Sequence, residues 1–236
     1  MKKRYLAWSL VPIYALVLVG FVLVVALGNQ VVRTMSEEIW NEERSTVIID
    51  PGHGGVDGGA TSYSGVLESK INLDIALKLN DMMRLLGIRT IMIRETDRSI
   101  YTEGETIAQK KASDLRERVR IINETRNALV VSIHQNTFPD EKYWGAQVFY
   151  PKTSGSKELA DMMQKQLNIN LMPDNNRLPK VAKGIYLMEH IQNPGILLEC
   201  GFLSNPQEEA LLRSEEYQKQ LCAVITGVCA QYLDQK

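Results

Sequence analysis

Two histidines and two glutamates carry the chemistry open to this sequence. His53 stands in Asp50-Pro51-Gly52-His53-Gly54-Gly55, His134 follows Val130-Val131-Ser132-Ile133, and Glu199 follows Ile196-Leu197-Leu198. Glu68 lies 15 residues after His53. Two imidazoles and one carboxylate form a common catalytic zinc set, which leaves a fourth position for water. His53, Glu68 and His134 are therefore the candidate ligands of one Zn2+ ion. Zinc brings the pKa of its water to about 7. Glu199 is the candidate acid/base that takes the water's proton and passes it to a leaving amine. A glutamate after three apolar residues is costly to bury without a partner, so it needs a reason to be there.

Taken singly, each residue has a plainer reading. A histidine after a strand is commonly a hydrogen-bonded structural residue. Glu68 suits the positive end of a helix, and Glu199 could be salt-bridged. His190 follows Glu189 in a polar stretch and reads as a surface or rim residue. Asp50 and Asp57 have oxygens for a metal, but turn chemistry explains both. The case for a site rests on the set.

The set needs a scaffold that brings distant segments together, and the hydrophobic pattern supplies one. Val47-Ile48-Ile49, closed by Asp50-Pro51-Gly52, reads as a buried strand. Ile71, Ile75, Leu79, Met82, Met83 and Leu86 recur at helical spacing, and Gly87 stops that helix. Residues 88–93 read as a strand. Asp114 and Glu117 open a helix to about Arg126. Strands follow at 128–133, 146–150 and 196–198, with a helix over 156–168 between the last two. Asn205-Pro206 is a helix start with proline at the first position, and the C-terminus is helical. The polar stretch 95–113 reads as a long loop. Alternating helices and continuous apolar strands predict one three-layer α/β domain, its central sheet mostly parallel and covered by helices. His53, His134 and Glu199 then fall at the carboxyl ends of strands, where such sheets bind ligands. The glycines at 54, 55, 58, 59 and 65 let the chain bring Glu68 back towards His53.

Charge and the N-terminus place this domain. Residues 1–33 hold Lys2, Lys3, Arg4 and Arg33 and no acid, so the remaining 23 basic and 28 acidic residues give a net of −5. An acidic domain with no basic run argues against a nucleic-acid partner. Tyr5 to Leu27 is an apolar stretch of 23 residues, long enough to span a hydrocarbon core of about 30 Å. It reads as an N-terminal transmembrane helix, an uncleaved signal anchor with its basic end in the cytoplasm, in preference to a cleaved signal peptide that would leave the domain secreted; either one exports the rest of the chain. The expected organisation is a membrane anchor over 1–32, a linker over 33–45 and a catalytic domain over 46–236, outside the cytoplasm. Cys200, Cys222 and Cys229 form no disulfide framework and read as packed thiols.

The motifs also resemble a known family. The run from Val47 to Gly55, with Asp57, Gly59-Ala60, Gly65 and Glu68, is similar to the opening of the zinc-dependent N-acetylmuramoyl-L-alanine amidases. Ser132-Ile133-His134-Gln135-Asn136 resembles their second histidine motif, and Leu198-Glu199-Cys200-Gly201-Phe202-Leu203-Ser204-Asn205 their terminal glutamate motif. The resemblance implies zinc on His53, Glu68 and His134, Glu199 as acid/base, and peptidoglycan as substrate, cut between the muramic lactyl group and L-alanine. Arg94, Arg118 and Asn123 match further family positions, structural or substrate-facing, and Asn136 is a candidate to orient His134 or substrate. Pro51, Gln135 and Cys200 replace residues more often small or apolar. The shortness of the chain and its single apolar segment resemble the germination-specific members. Those imply action in the forespore intermembrane space and spore cortex, with a peptidoglycan deacetylase as functional partner in making muramic δ-lactam. Two rival readings remain: a zinc exopeptidase on a similar scaffold, and a cell-wall-binding protein without turnover.

Overall fold

The computed structural model describes residues 18–30 and 45–235, in two units that divide between Glu43 and Arg44. In the first unit residues 18–30 are helical, and Leu18, Phe21 and Val24 are exposed. The remainder of the anchor expected over 1–32, and nearly all of the linker, lie outside the described residues. Among the described residues no helix is long and apolar enough to cross a membrane.

The second unit is a six-stranded sheet between two layers of helices. In chain order its elements are β1 (Thr46–Pro51), α1 (Glu68–Leu85), β2 (Thr90–Met92), α2 (Ile107–Glu124), β3 (Ala128–Asn136), β4 (Gln147–Tyr150), α3 (Ser156–Asn170), β5 (Lys180–Val181), α4 (Tyr186–His190), β6 (Gly195–Phe202), α5 (Pro206–Leu212) and α6 (Glu215–Leu233). The strand order is β2-β1-β3-β6-β4-β5, parallel throughout except where β4 meets β6. Successive strand residues point to opposite faces, which sorts the apolar runs into two cores. Val47, Ile49, Val131 and Leu198 pack with Ile75, Met163 and Ile225 of α1, α3 and α6. Ile48, Val130 and Leu197 pack on the other face with Ile122 of α2 and Leu187 of α4.

The connections create the crevice. From β1 the chain runs through α1 to β2 on one side, then returns through α2 to β3 on the other. The direction reverses between β1 and β3, and ligands bind beyond the carboxyl ends of strands at such a switch point.

Several boundaries differ from the sequence expectations for identifiable reasons. The helix expected to open at Asp114 begins at Ile107, because Thr106 and Gln109 form a reciprocal capping box. The long loop is correspondingly shorter, and Asp114 is an interior helix residue. β3 and β6 run on past His134 and Glu199, since ladder bonds come from the backbone and do not stop at a polar side chain. These two residues are therefore register partners within paired strands. The short β5 and α4 had no periodic signature to announce them.

Candidate metal centre

Just past β1 the chain bends sharply, and two buried arginines hold the bend. His53 adopts left-handed backbone geometry, with φ 60°, which costs a residue with a Cβ roughly 1–2 kcal/mol. Arg118 of α2 donates to the carbonyl oxygens of Pro51 at 3.0 Å and His53 at 2.7 Å. Arg94, beyond β2, donates to Pro51, Gly52 and Ser69 carbonyls, each at 2.9 Å. Arg118 is ion-paired with Asp50 and, at 2.6 Å, with Asp114, while Ser132 donates to Asp50 at 2.6 Å. Burial pushes the Asp50 carboxyl up, but Arg118 and Ser132 outweigh it and hold Asp50 below its ordinary value. Burial, with repulsion from Arg118, lowers Arg94 to about 10. Both arginines are thus structural, fully used by backbone and buried acids. Asn123 is structural too: it donates to the His190 carbonyl and accepts from Gln192 N–H.

The bend delivers His53 to Glu68, the first residue of α1. Glu68 is only 3% exposed. Its carboxylate accepts from Ala60 N–H at 2.9 Å, Gln135 N–H at 3.1 Å and Asn72 Nδ2 at 3.3 Å. Oε2 lies 3.3 Å from His53 Nε2, and Oε1 lies 3.0 Å from His134 Nδ1. One ligand atom from each of His53, Glu68 and His134 falls within 4.8 Å of the others. The two imidazoles meet edge to face, with centroids 4.9 Å apart. On its far side His53 Nδ1 lies 2.9 Å from Asp57 Oδ2, and Lys111 of α2 pairs with Asp57 Oδ1 at 2.6 Å. Burial disfavours a charged His53, but Asp57 and Glu68 outweigh it and raise the imidazole to about 9. Burial likewise opposes ionisation of Glu68 and Asp57, yet their histidine partners pull both carboxyls well below the usual range.

Two glycines make room for this packing. A Cβ on Gly52 would sit 2.2 Å from His134 Nε2, and one on Gly59 would sit 2.6 Å from Glu68 Oε2 and 2.7 Å from His53 Cδ2. Any side chain at either position would displace a candidate donor.

Glu199 stands across from His134 on the adjacent strand. Its Oε2 is buried and has no hydrogen-bond partner among the described residues. Burial raises its pKa to about 7; the Glu68 charge adds to the rise, and His134 and His53 oppose it. A carboxyl that changes charge near neutrality suits proton transfer in either direction.

The site therefore unites all four residues singled out in the sequence. Two imidazoles and a carboxylate converge on one point, a donor set that zinc accepts, and the fit is reinforced by glycines that clear the donors. Three other candidates stand elsewhere. His190 is exposed, donates to the Tyr186 carbonyl at 2.8 Å and stacks on the Tyr186 ring. Asn136 accepts from Thr137 N–H at 2.8 Å. Cys200 is fully buried, and burial pushes its thiol up. The other two thiols, Cys222 and Cys229, are pushed up to about 12 by the same cause. What residue patterns missed is the support: Asp57 as the partner of His53, Lys111 behind it, and Gly52. Only the four-residue spacing of His53 and Asp57 gave a clue; Lys111 lay in what read as a loop.

Residues 47–230 match the family described as N-acetylmuramoyl-L-alanine amidase. The germination-specific N-acetylmuramoyl-L-alanine amidase of Bacillus subtilis (strain 168) is 38% identical over 224 residues, 93% of this chain and 94% of that one. The CwlD amidase from Clostridioides difficile, solved in complex with the GerS lipoprotein, superposes with a TM-score of 0.78 at 40% identity, over 82% of this chain and all of that one. An N-acetylmuramoyl-L-alanine amidase from Clostridium difficile 630 gives 0.72 at 32% identity, over 82% of this chain and 98% of the other.

Proposed function

Because the chain belongs to the N-acetylmuramoyl-L-alanine amidase family, we propose that it hydrolyses the amide between the muramic lactyl group and L-alanine in peptidoglycan. His53, Glu68 and His134 hold one divalent metal, and Glu199 is the acid/base. The observation that carries this reading is the meeting of those three ligand atoms within 4.8 Å, beside a buried carboxyl oxygen that has no hydrogen-bond partner among the described residues.

Zinc is the metal that the two-imidazole, one-carboxylate set favours. When bound, it supplies Lewis-acid polarisation of the scissile carbonyl and makes water reactive near neutral pH. The chain's own residues do the rest. Asp57 holds His53 with Nε2 turned to the site, and the Ala60, Asn72 and Gln135 donors fix the Glu68 carboxylate. Glu199, half-charged near pH 7, accepts a proton from the attacking water and returns it to the leaving nitrogen of L-alanine. Zinc exopeptidases often bind two metals, and only one ligating cluster occurs among the described residues.

The germination-specific relative supports a finer reading: action on spore cortex, followed by a deacetylase, in muramic δ-lactam formation. The apolar stretch over 5–27 would tether the domain outside the cytoplasm. A lipoprotein partner, as in the Clostridioides difficile complex, belongs to the same reading.

The test is mass spectrometry of cortex-type peptidoglycan incubated with the full chain and zinc. Release of peptides with a free L-alanine amino terminus is the expected result. Cleavage at any other bond, or no release with zinc bound, would overturn the assignment.

A further inference from the structure

Beyond the four catalytic groups, the same edge of the sheet carries an exposed aromatic cluster that no step of the hydrolysis uses. Phe138, Tyr143 and Trp144, in the β3–β4 connection, are 48%, 38% and 41% exposed. Phe138 meets Tyr143 edge to face, with centroids 4.5 Å apart, and Tyr143 lies 6.3 Å from Phe202 at the end of β6. Apolar rings left open to water at this density mark a binding surface more often than chance exposure.

The cluster is continuous with the catalytic edge. Phe202 is three residues beyond Glu199 on β6, roughly 10 Å along a strand. Phe138 is four residues beyond His134. The two exits are bonded together, Leu203 N–H to the Asn136 carbonyl at 2.8 Å and Phe138 N–H to Ser204 Oγ at 3.1 Å. Buried Glu208 fastens both sides of the cluster, accepting from Gly145 N–H at 2.9 Å and Phe202 N–H at 2.8 Å. The rings are thus mounted on a braced frame. Cations frame them: Lys142 Nζ lies 5.5 Å from the Tyr143 centroid, and the Arg177 guanidinium 5.3 Å from that of Phe202.

We propose that Phe138, Tyr143 and Trp144 form a saccharide platform that binds the glycan strand of the substrate beside the scissile amide. This deepens the amidase reading and rests on it. A pyranose presents a face of C–H bonds that packs on the negative face of an aromatic ring. Its hydroxyl and acyl oxygens need donors at the rim, where Lys142, paired with Asp140 at 2.7 Å, and Arg177, bonded to the Trp144 carbonyl at 3.0 Å, keep further N–H groups. The rings adjoin the catalytic edge, and the glycan strand is the part of the substrate that carries the scissile amide.

The experiment measures binding of the full chain to glycan stripped of its peptides, together with kinetics on intact peptidoglycan. The wild-type chain is expected to bind the stripped glycan. Phe138→Ala with Tyr143→Ala should weaken that binding about tenfold and raise KM by a similar factor, with kcat unchanged. Tyr143→Phe keeps the ring and should behave as wild type. If the double variant melts early, Tyr143→Ala alone is read in the same assays, with a smaller loss expected. A wild-type chain that releases peptide yet ignores stripped glycan overturns the platform and leaves the amidase standing. So does a variant with unchanged affinity and KM, or one that loses only binding to a protein partner. A wild-type chain that releases no peptide defeats the amidase reading itself.

Discussion

The β1 side and the β6 side of the crevice each hold a glutamate with a buried carboxyl oxygen, and the two are treated in opposite ways. Glu68 receives three hydrogen bonds and faces two imidazoles, which keep it ionised. Glu199 has a buried oxygen with no hydrogen-bond partner among the described residues, and burial raises its pKa to about 7. Two carboxyls in one site, pushed apart by their surroundings, are the usual sign of divided roles. One is built to stay an anion and hold position; the other is built to change charge.

Exchanging each glutamate tests that division most severely. Glu68→Ala should abolish stoichiometric zinc and reduce amide cleavage to background. It also leaves the Ala60 and Gln135 N–H groups unpaired, at about 1–3 kcal/mol each. Metal analysis of the purified variant checks the first effect, and retention of one zinc per chain would break the comparison. Glu199→Gln should behave differently: cleavage falls by about 10²–10⁴, while zinc content is kept. Its melting temperature should hold or rise, because a buried, unpaired charge is removed. Full activity in this variant would end the acid/base role.

The frame under the β1 side gives the next effect. Arg118→Met leaves Asp50 buried and unpaired, and breaking a buried pair costs about 3–5 kcal/mol. It also frees the His53 carbonyl, so zinc affinity should drop along with stability. Denaturant unfolding and metal titration read these separately. Unchanged zinc affinity would mean that the left-handed turn at His53 is held without the arginine.

His134 and Glu199 stood out because each ends an apolar run, where a polar group has no packing reason to be, whereas His53 was marked by the glycines around it and Glu68 by the glycine-rich turn that lets the chain come back. The sheet was legible for the complementary reason, since long buried runs admit few other structures. Arg94 and Arg118 stood out only through the family resemblance, which left their role open, because a guanidinium in sequence reads as surface by default and bonds to backbone carbonyls leave no trace in residue type. The pair Asp57–Lys111 crosses from a turn to a helix 54 residues away, a distance that no spacing rule spans. Gly52 looked like one more turn glycine, and only the imidazole lying over it reveals why a Cβ is forbidden there. The start of α2 was hidden because a capping box of Thr106 and Gln109 is as polar as any loop.

The gentlest test uses pH on the metal-free chain. His53 has a raised pKa, about 9 against an ordinary 6.5. Its contribution to stability is whole below 6.5 and lost as pH rises through 9. Glu199 is also raised, to about 7 from 4.5, so folding favours its protonated form, and that advantage fades as pH rises from 4.5 through 7. Glu68 and Asp57 are depressed; their contributions are present above their ordinary values, 4.5 and 3.8, and vanish as pH falls further. The chelated chain should therefore melt highest near pH 4.5, fall from there as Glu199 ionises, and lose several further degrees between pH 6.5 and 9. Zinc competes with the proton on His53, so its stabilising effect should grow over the same interval. Melting curves with and without chelator, taken at stepped pH, measure the gap. A gap that stays constant from pH 6.5 to 9 would mean that His53 releases no proton when metal enters, and the β1 side would then no longer be the metal-holding half of the crevice.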